Sequence, residues 1–420
     1  MKIEPLAKKG LRAHSVIGLF ISAVLYIICL SGTISLFKDE LLLIEQQGEP
    51  VVREMQAGAA YKAAHNGMLM DPETKHLFLR LPTVKNPRAI VETDNLESYL
   101  NADGTVSVKA HTPWNEFLID LHYYLTLPTS FGMLVVAIFG VFLFAMSVTG
   151  LVAHPKVFKD AFRFRGDRSE QMEKVDLHNR LSVWTAPFHI SNSLTGAMIG
   201  LATLSALFVG TVKYDGDFEA VFAPVFGAEP EVNLEQAPIA RIDKALDYMA
   251  VHYPEHPPIY VILHDPGTQG QYLQIMAEHM DRLIYAEKYN FNGDGEFIDT
   301  VGSADGTVGQ QVADSVYRTH FGYFGGFPVK VAFAIFGICL LVIITSGMKV
   351  YFLKQQAKGR DMRWHQAIWL GLVYGGPFLL LVTFIIACLQ IELAFKPIFW
   401  IGILSFSTLN VFLIQKQSDE

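Results

Sequence analysis

Long apolar runs alternate along this chain with polar stretches that carry strand-like and turn-like patterns. Six runs, at roughly 15–37, 131–153, 186–210, 327–353, 367–390 and 395–414, reach the length of about 20 residues that an α-helix needs to cross a bilayer. The first is too long for a secretory signal, lacks an A-x-A cleavage site, and continues apolar beyond Ser31-Gly32, so it reads as a retained anchor. The two long polar segments, 38–130 and 211–326, read as folded α+β rather than as linkers. In the second, a helix is expected over Lys244–His252, followed by strands at Ile259–Leu263, Gln271–Ala277 and Arg282–Phe291. The Asn292-Gly293-Asp294-Gly295 stretch is a hairpin turn by composition. It half resembles an EF-hand loop, but Val301 stands where the bidentate glutamate belongs. The first segment looks like a smaller version, with strands at Leu77–Leu81, Ala89–Thr93 and Ser98–Asn101 before an Ala102-Asp103-Gly104 turn.

Composition narrows the class. Hydrophobic residues make up 51% of the 420 and charged residues 18%, below the roughly 25% charged of soluble proteins. A soluble globular protein, a disordered chain and a nucleic-acid binder are disfavoured, and the net charge of −8 agrees. The three cysteines, Cys29, Cys339 and Cys388, all lie in apolar runs, so no disulfide framework is expected; CxxCH, the c-type haem signal, is absent. Lys and Arg cluster in the N-terminus, in 154–180 and in 354–364. These segments belong on the cytoplasmic side, and the acid-rich 38–130 and 211–326 outside, which in a bacterium is the periplasm. The aromatics Phe158, Phe162 and Phe164, interleaved with Lys159, Arg163 and Arg165, suggest a face lying on the inner leaflet.

An internal repeat carries the functional reading. His14 precedes Gly32 by eighteen residues, and His178 precedes Gly196 by eighteen; His122 precedes Gly150 by 28, and His320 precedes Gly347 by 27. Each glycine follows Ser or Thr, a small pair that lets helices approach closely. Each half is then helix, outside domain, helix. The halves run in the same direction, which implies a pseudo-twofold axis along the membrane normal. Spans five and six have no counterpart. The expected architecture is a polytopic α-helical membrane protein: a four-helix core from two parallel repeats, two extra helices, and two small periplasmic α+β domains. Its divisions are 1–37, 38–130, 131–210, 211–326, 327–353 and 354–420.

The axis brings His14 to face His178 and His122 to face His320. Two facing imidazoles can ligate one haem iron from both sides, and two such levels make a two-haem bundle. A single histidine at a helix end more often snorkels to the interface or bonds a neighbour; pairwise matching of four by a repeat favours ligation. His189 lies inside the third span, where an ionisable group is costly and a functional candidate; its repeat counterpart is near Leu25. It is a candidate deeper ligand, or a partner of a haem propionate or a proton. His154, after the second span, is a candidate replacement for an inner ligand. His365, beside Arg363 and Trp364, reads as an interface anchor, and Pro254 breaks the spacing of His252 and His256. HExxH, GxSxG, P-loop and GxGxxG motifs are absent.

The segments Leu121-His122, Thr149-Gly150, Asp176-Leu177-His178-Asn179, Trp184-Thr185-Ala186-Pro187-Phe188-His189, Ser346-Gly347-Met348-Lys349 and His154-Pro155-Lys156-Val157-Phe158-Lys159-Asp160 with Phe164-Arg165 resemble the PepSY-associated transmembrane family. The resemblance covers most of residues 10–355, and 240–300 looks like a PepSY-type domain. It implies a bacterial inner-membrane protein with both termini cytoplasmic, in some members a haem-containing reductase of ferric siderophores. The implied cofactors are two b-type haems. The implied partners are a ferric siderophore outside, a cytoplasmic or quinol electron donor, and membrane lipid, with no nucleic acid. The competing reading is a haem-free membrane sensor or scaffold whose PepSY-like domains bind a peptide or protein. A transporter has little support, because the spans lack acidic residues.

Overall fold

A computed structural model describes residues 6–153, 157–162, 169–217, 219–226, 232–279 and 283–419. In chain order the elements are α1 (Leu6–Ser35), α2 (Lys38–Glu45), α3 (Ala57–Met70), β1 (His76–Arg80), β2 (Ala89–Thr93), β3 (Glu97–Leu100), β4 (Val106–Lys109), α4 (Pro113–Tyr124), α5 (Thr129–Ala153), α6 (Val157–Asp160) and α7 (Glu170–Trp184). There follow α8 (Ala186–Lys213), α9 (Glu219–Phe226), α10 (Ile242–His252), β5 (Pro258–His264), β6 (Tyr272–Ala277), β7 (Glu287–Phe291), β8 (Phe297–Val301), α11 (Val308–Phe321), α12 (Gly326–Gln356), α13 (Arg363–Cys388) and α14 (Phe395–Asp419). They form two compact units: Met1–Glu45 with Pro113–Leu201 and Thr319–Glu420, and Gln46–Thr112 with Ala202–Arg318.

The first unit is helical. Helices α1, α5, α8, α12 and α13, with Phe395–Gln415 of α14, are long and apolar enough to cross a membrane, so this is a multi-pass membrane protein. Four of them close a ring through small residues and aromatics. Gly10 of α1 lies against the Thr149 carbonyl of α5, and Gly140 of α5 against Ser193 and Ala197 of α8. Phe188 of α8 packs on Phe333 and Phe336 of α12, with ring centres 5.0 and 5.4 Å apart. Gly337 of α12 meets Thr33 of α1. Repeat-related helices thus stand across the ring from each other, α1 opposite α8 and α5 opposite α12. Helices α13 and α14 pack as a pair, with Gly371 against Ser407 and Gly402 against Leu379. Helix α13 is tied to α1 of the ring by Tyr26 Oη donating to the Val373 carbonyl (3.0 Å), and to α4 by Trp114 Nε1 donating to Thr383 Oγ1 (3.0 Å). Trp114 is almost wholly buried, and truncating such a side chain costs about 3–5 kcal/mol.

His122 and His320 lie ahead of the spans they precede in the sequence, on separate short helices, α4 and α11. Each helix is followed by a left-handed turn, at Leu125 and Thr126 (φ 52° and 59°) and at Gly322 (φ 67°). His178 and His189 do not share one helix, because the chain breaks at Thr185 between α7 and α8. Pro187, in the first turn of α8, suits a helix start and not an interior. The first span starts at Leu6, nine residues earlier than read, because Lys8, Lys9 and Arg12 fall within α1.

The second unit is one antiparallel sheet in the order β4-β3-β2-β1-β5-β6-β7-β8. Each half is a helix followed by four strands, and the halves meet where β1 pairs with β5, Leu77 opposite Leu263 and Leu79 opposite Val261. Helices α3 and α10 pack on each other and over the apolar face, α3 on β1 and β2 and α10 on β5. The core includes Leu77, Leu79, Val91, Val261, Leu263, Leu273 and Ile275. Ala60, Ala63 and Ala64, all fully buried, let α3 sit close to the sheet. The expectation of two separate small domains is thereby corrected: neither half supplies a closed core, and the alternating faces of β1 and β5 are completed by each other. Strands β4 and β8 were not foreseen, and β7 is shorter than expected. The Asn292–Gly295 turn is the β7–β8 hairpin; Asn292 Oδ1 accepts from the Asp294 and Glu296 amides (3.0 and 2.9 Å), which commits it to the turn rather than to a calcium ion.

Candidate functional site

Each of the four repeat-matched histidines sits in the same local arrangement. His14 Nδ1 donates to the Met146 carbonyl (3.1 Å), His122 Nδ1 to Ile28 (2.9 Å), His178 Nδ1 to Ile343 (2.9 Å) and His320 Nδ1 to Asn192 (3.1 Å). Each acceptor lies four residues before one of the repeat glycines, Gly150, Gly32, Gly347 and Gly196 respectively. A Cβ on that glycine would lie 3.2, 2.5, 3.0 and 2.8 Å from the histidine Cε1 in the same order. The missing side chain makes the seat for the ring, and the carbonyl one turn earlier orients it. Thr195 Oγ1 and Ser346 Oγ, of the residues preceding Gly196 and Gly347, also lie 3.1 and 3.4 Å from the Nδ1 atoms of His320 and His178. A carbonyl only accepts, so each Nδ1 carries the proton and each Nε2 keeps its lone pair.

The rings meet in the pairs that the repeat implies. His14 and His178 have ring centres 6.0 Å apart, and His122 and His320 6.4 Å. Two metal–nitrogen bonds of about 2.0 Å, with roughly 1.2 Å from each nitrogen to its ring centre, place opposed imidazole ligands about 6.4 Å apart. The pairs open into two cavities. His14, His178, Gly150 and Gly347 line one of about 360 Å³; His122, His320, Gly32 and Gly196 line one of about 160 Å³.

His189 is buried and lines both cavities, as do Leu25, Leu143 and Leu340. Its Nε2 is 3.0 Å from Thr185 Oγ1. Leu25 is its repeat counterpart, so one partition position is polar and its equivalent apolar. His154 lies outside the described residues. His365 is exposed near the start of α13 and joins neither cavity. His252 stacks on Tyr248 (3.9 Å), and His256 bonds Tyr289.

The donor set is two imidazoles per level; among the described residues no group of three or more His, Cys, Asp or Glu is placed to hold a metal ion. Such a pair in an apolar cavity suits a planar macrocycle that brings its own four equatorial donors, and suits a bare ion poorly. Sequence reasoning did not find Glu45, which fixes the helix carrying His122. Its carboxylate is buried and accepts from the Trp114 and Asn115 amides (2.8 and 3.1 Å) at the start of α4, and from Asn115 Nδ2 (2.8 Å). An acidic residue 68 positions before the helix it caps leaves no local signal.

The chain is 32% identical over 132 residues to Uncharacterized protein PA4219 of Pseudomonas aeruginosa, a match covering 31% of this chain and 33% of that protein. The model of the PepSY-associated TM region family matches residues 11–354, which include all four paired histidines and their glycines. The chain belongs to the PepSY-associated TM region family.

Proposed function

We propose that this protein is an inner-membrane di-haem oxidoreductase that passes electrons across the bilayer to a ferric siderophore in the periplasm. The observation that carries the reading is the fourfold histidine–glycine–carbonyl arrangement, which sets two imidazole pairs at the spacing of opposed axial ligands. His14 with His178, and His122 with His320, would hold one b-type haem each through Nε2. A bound haem would supply a one-electron couple. The chain's own work is to fix each imidazole by its Nδ1–H bond, which also makes Nε2 more basic. Leu25, Leu143, Leu340 and His189 separate the two levels. A ferric chelate that takes one electron becomes ferrous, which hard oxygen donors hold less firmly. The 38–130 and 211–326 segments, read as periplasmic and PepSY-like, carry 31 acidic and 14 basic residues. They favour neutral or cationic chelates over anionic ones, an effect that salt weakens.

The test is a reduced-minus-oxidised spectrum of the purified protein, followed by stopped-flow mixing of the reduced protein with ferric chelates of different charge. Two low-spin bis-histidine haems are expected, with reoxidation by a ferric chelate. His122→Ala or His320→Ala should remove about half the haem and leave the His14–His178 signal. Full haem retention in all four single variants would sink the ligand assignment, and absence of haem would favour the sensor or scaffold. No acceleration by any chelate over the His122→Ala protein would remove the reductase.

A further inference from the structure

The geometry points to a second metal site, in the sheet unit, where His76 and His264 together bind one divalent late first-row transition-metal ion, with water completing its shell. His76 opens β1 and His264 closes β5; they are directly opposed across the antiparallel pair, so both side chains leave the same face of the sheet. Their ring centres are 5.3 Å apart. With about 3.2 Å from ring centre to metal, that separation corresponds to an N–metal–N angle near 110°, the tetrahedral value. The half-buried pairs of the helical unit approach the opposed arrangement instead. The two settings call for different guests: a bent pair at a water-facing sheet end leaves coordination positions for solvent, whereas an apolar cavity offers none.

A built orienting shell stands behind the first ligand. Asp94 Oδ1 accepts from His76 Nδ1 (3.0 Å), and Asp94 Oδ2 accepts from the Lys75 amide (2.6 Å). The Asp94 amide is itself held by Thr74 Oγ1 (3.0 Å), and that hydroxyl donates to the His76 carbonyl (2.7 Å). The carboxylate therefore arrives with both oxygens committed. The proton of His76 is fixed on Nδ1, and Nε2 presents its lone pair, the carboxylate–histidine–metal order that raises ligand basicity. Phe78, two residues along β1 on the same face, stacks beside the His76 ring (6.4 Å, 16°) and limits its rotation. His76 keeps 46% of its side-chain surface open, so an ion can reach it. Borderline ions such as Zn2+ or Cu2+ suit imidazole donors, and Ca2+ and Mg2+ do not. This site stands on its own residues and does not depend on the haem reading.

The experiment is residue-resolved acylation of histidines by diethyl pyrocarbonate on the intact purified protein, read by mass spectrometry with and without Zn2+. Zinc is expected to protect His76 and His264 together, along one saturation curve, while His65 and His111 react unchanged. In Asp94→Asn the zinc concentration for half protection should rise on the order of 10–100-fold. His264→Ala should abolish protection of His76 at the concentration that fills the parent protein. Equal acylation of His76 and His264 with and without zinc in the parent protein overturns the proposal, and needs no variant to fold. Separate saturation curves for the two residues overturn it as well.

Discussion

The four histidine seats allow one substitution, glycine to alanine, to be graded by geometry alone. All four glycines lie inside helices, where alanine is intrinsically better by about 1 kcal/mol. Against that gain stands the clearance for the new methyl group: 2.5 Å at Gly32, 2.8 Å at Gly196, 3.0 Å at Gly347 and 3.2 Å at Gly150. At Gly150 the His14 ring need yield only a few tenths of an ångström, and the gain and loss nearly cancel. At Gly32 the His122 ring must move by about 1 Å to reach ordinary contact, and its 2.9 Å bond to the Ile28 carbonyl is then lost. Overpacking costs about 1–3 kcal/mol and the lost hydrogen bond about 1 kcal/mol, so Gly32→Ala is destabilising by about 1–3 kcal/mol after the helix gain. The assay is thermal unfolding of the four purified variants by intrinsic fluorescence, with haem per chain measured in parallel. Gly32→Ala should unfold at the lowest temperature and lose occupancy at the His122–His320 level; Gly150→Ala should track the parent. A Gly32→Ala protein as stable as Gly150→Ala, with unchanged haem content, would refute the reasoning.

Three further outcomes follow from contacts already described. Glu45→Ala strips the cap from α4 and leaves the Trp114 and Asn115 amides unpaired, so a loss of about 1–3 kcal/mol is expected in chemical unfolding, with occupancy falling at the His122 level first. Asp243 is held below the usual carboxylate range chiefly by the Arg241 guanidinium; its contribution is present above the unfolded carboxylate value and lost as pH falls through the folded one. Asp243→Asn should therefore narrow the difference between neutral and acid stability below about pH 4, by a small amount because the pair is largely solvated. Reporter fusions after residues 60 and 260 should report the periplasm and after 170 the cytoplasm; a periplasmic report at 170 would overturn the proposed orientation.

The spans were legible because an apolar run of bilayer length has few other uses. The histidine pairs were legible because a repeat converts spacing along the chain into opposition in space; the structure brings together His14 with His178 and His122 with His320. Local signals gave way where the deciding partner was distant. The β1–β5 seam joins strands whose sequences read equally well as the edges of two small domains. Strand β8, with Ile298 exposed and Asp299 and Thr300 facing water, lacks the apolar alternation that marks a half-buried strand. The break at Thr185 separates the helix of His178 from that of His189, and the third apolar run begins at 186, just after it. The carbonyl partners of the histidines have no side-chain signature at all; only the Ser/Thr-Gly spacing, four residues downstream, marks where they must be.

The β1–β5 seam also sets a timetable for biosynthesis. His76 and its partner His264 are 188 residues apart in the chain, which at about 5–20 residues per second is about 10–40 s of translation. Throughout that interval β1 has β2 on one side and an open ladder of amides and carbonyls on the other, with Leu77 and Leu79 uncovered by the second helix and sheet half. Two of the apolar helices must enter the bilayer before relief arrives. A nascent chain halted after the third span therefore carries a ready template for strand addition. Quality-control factors that cover sheet edges should be most needed by this protein in that window, and a ribosome pause placed between α8 and β5 should raise its aggregation more than the same pause placed after β8.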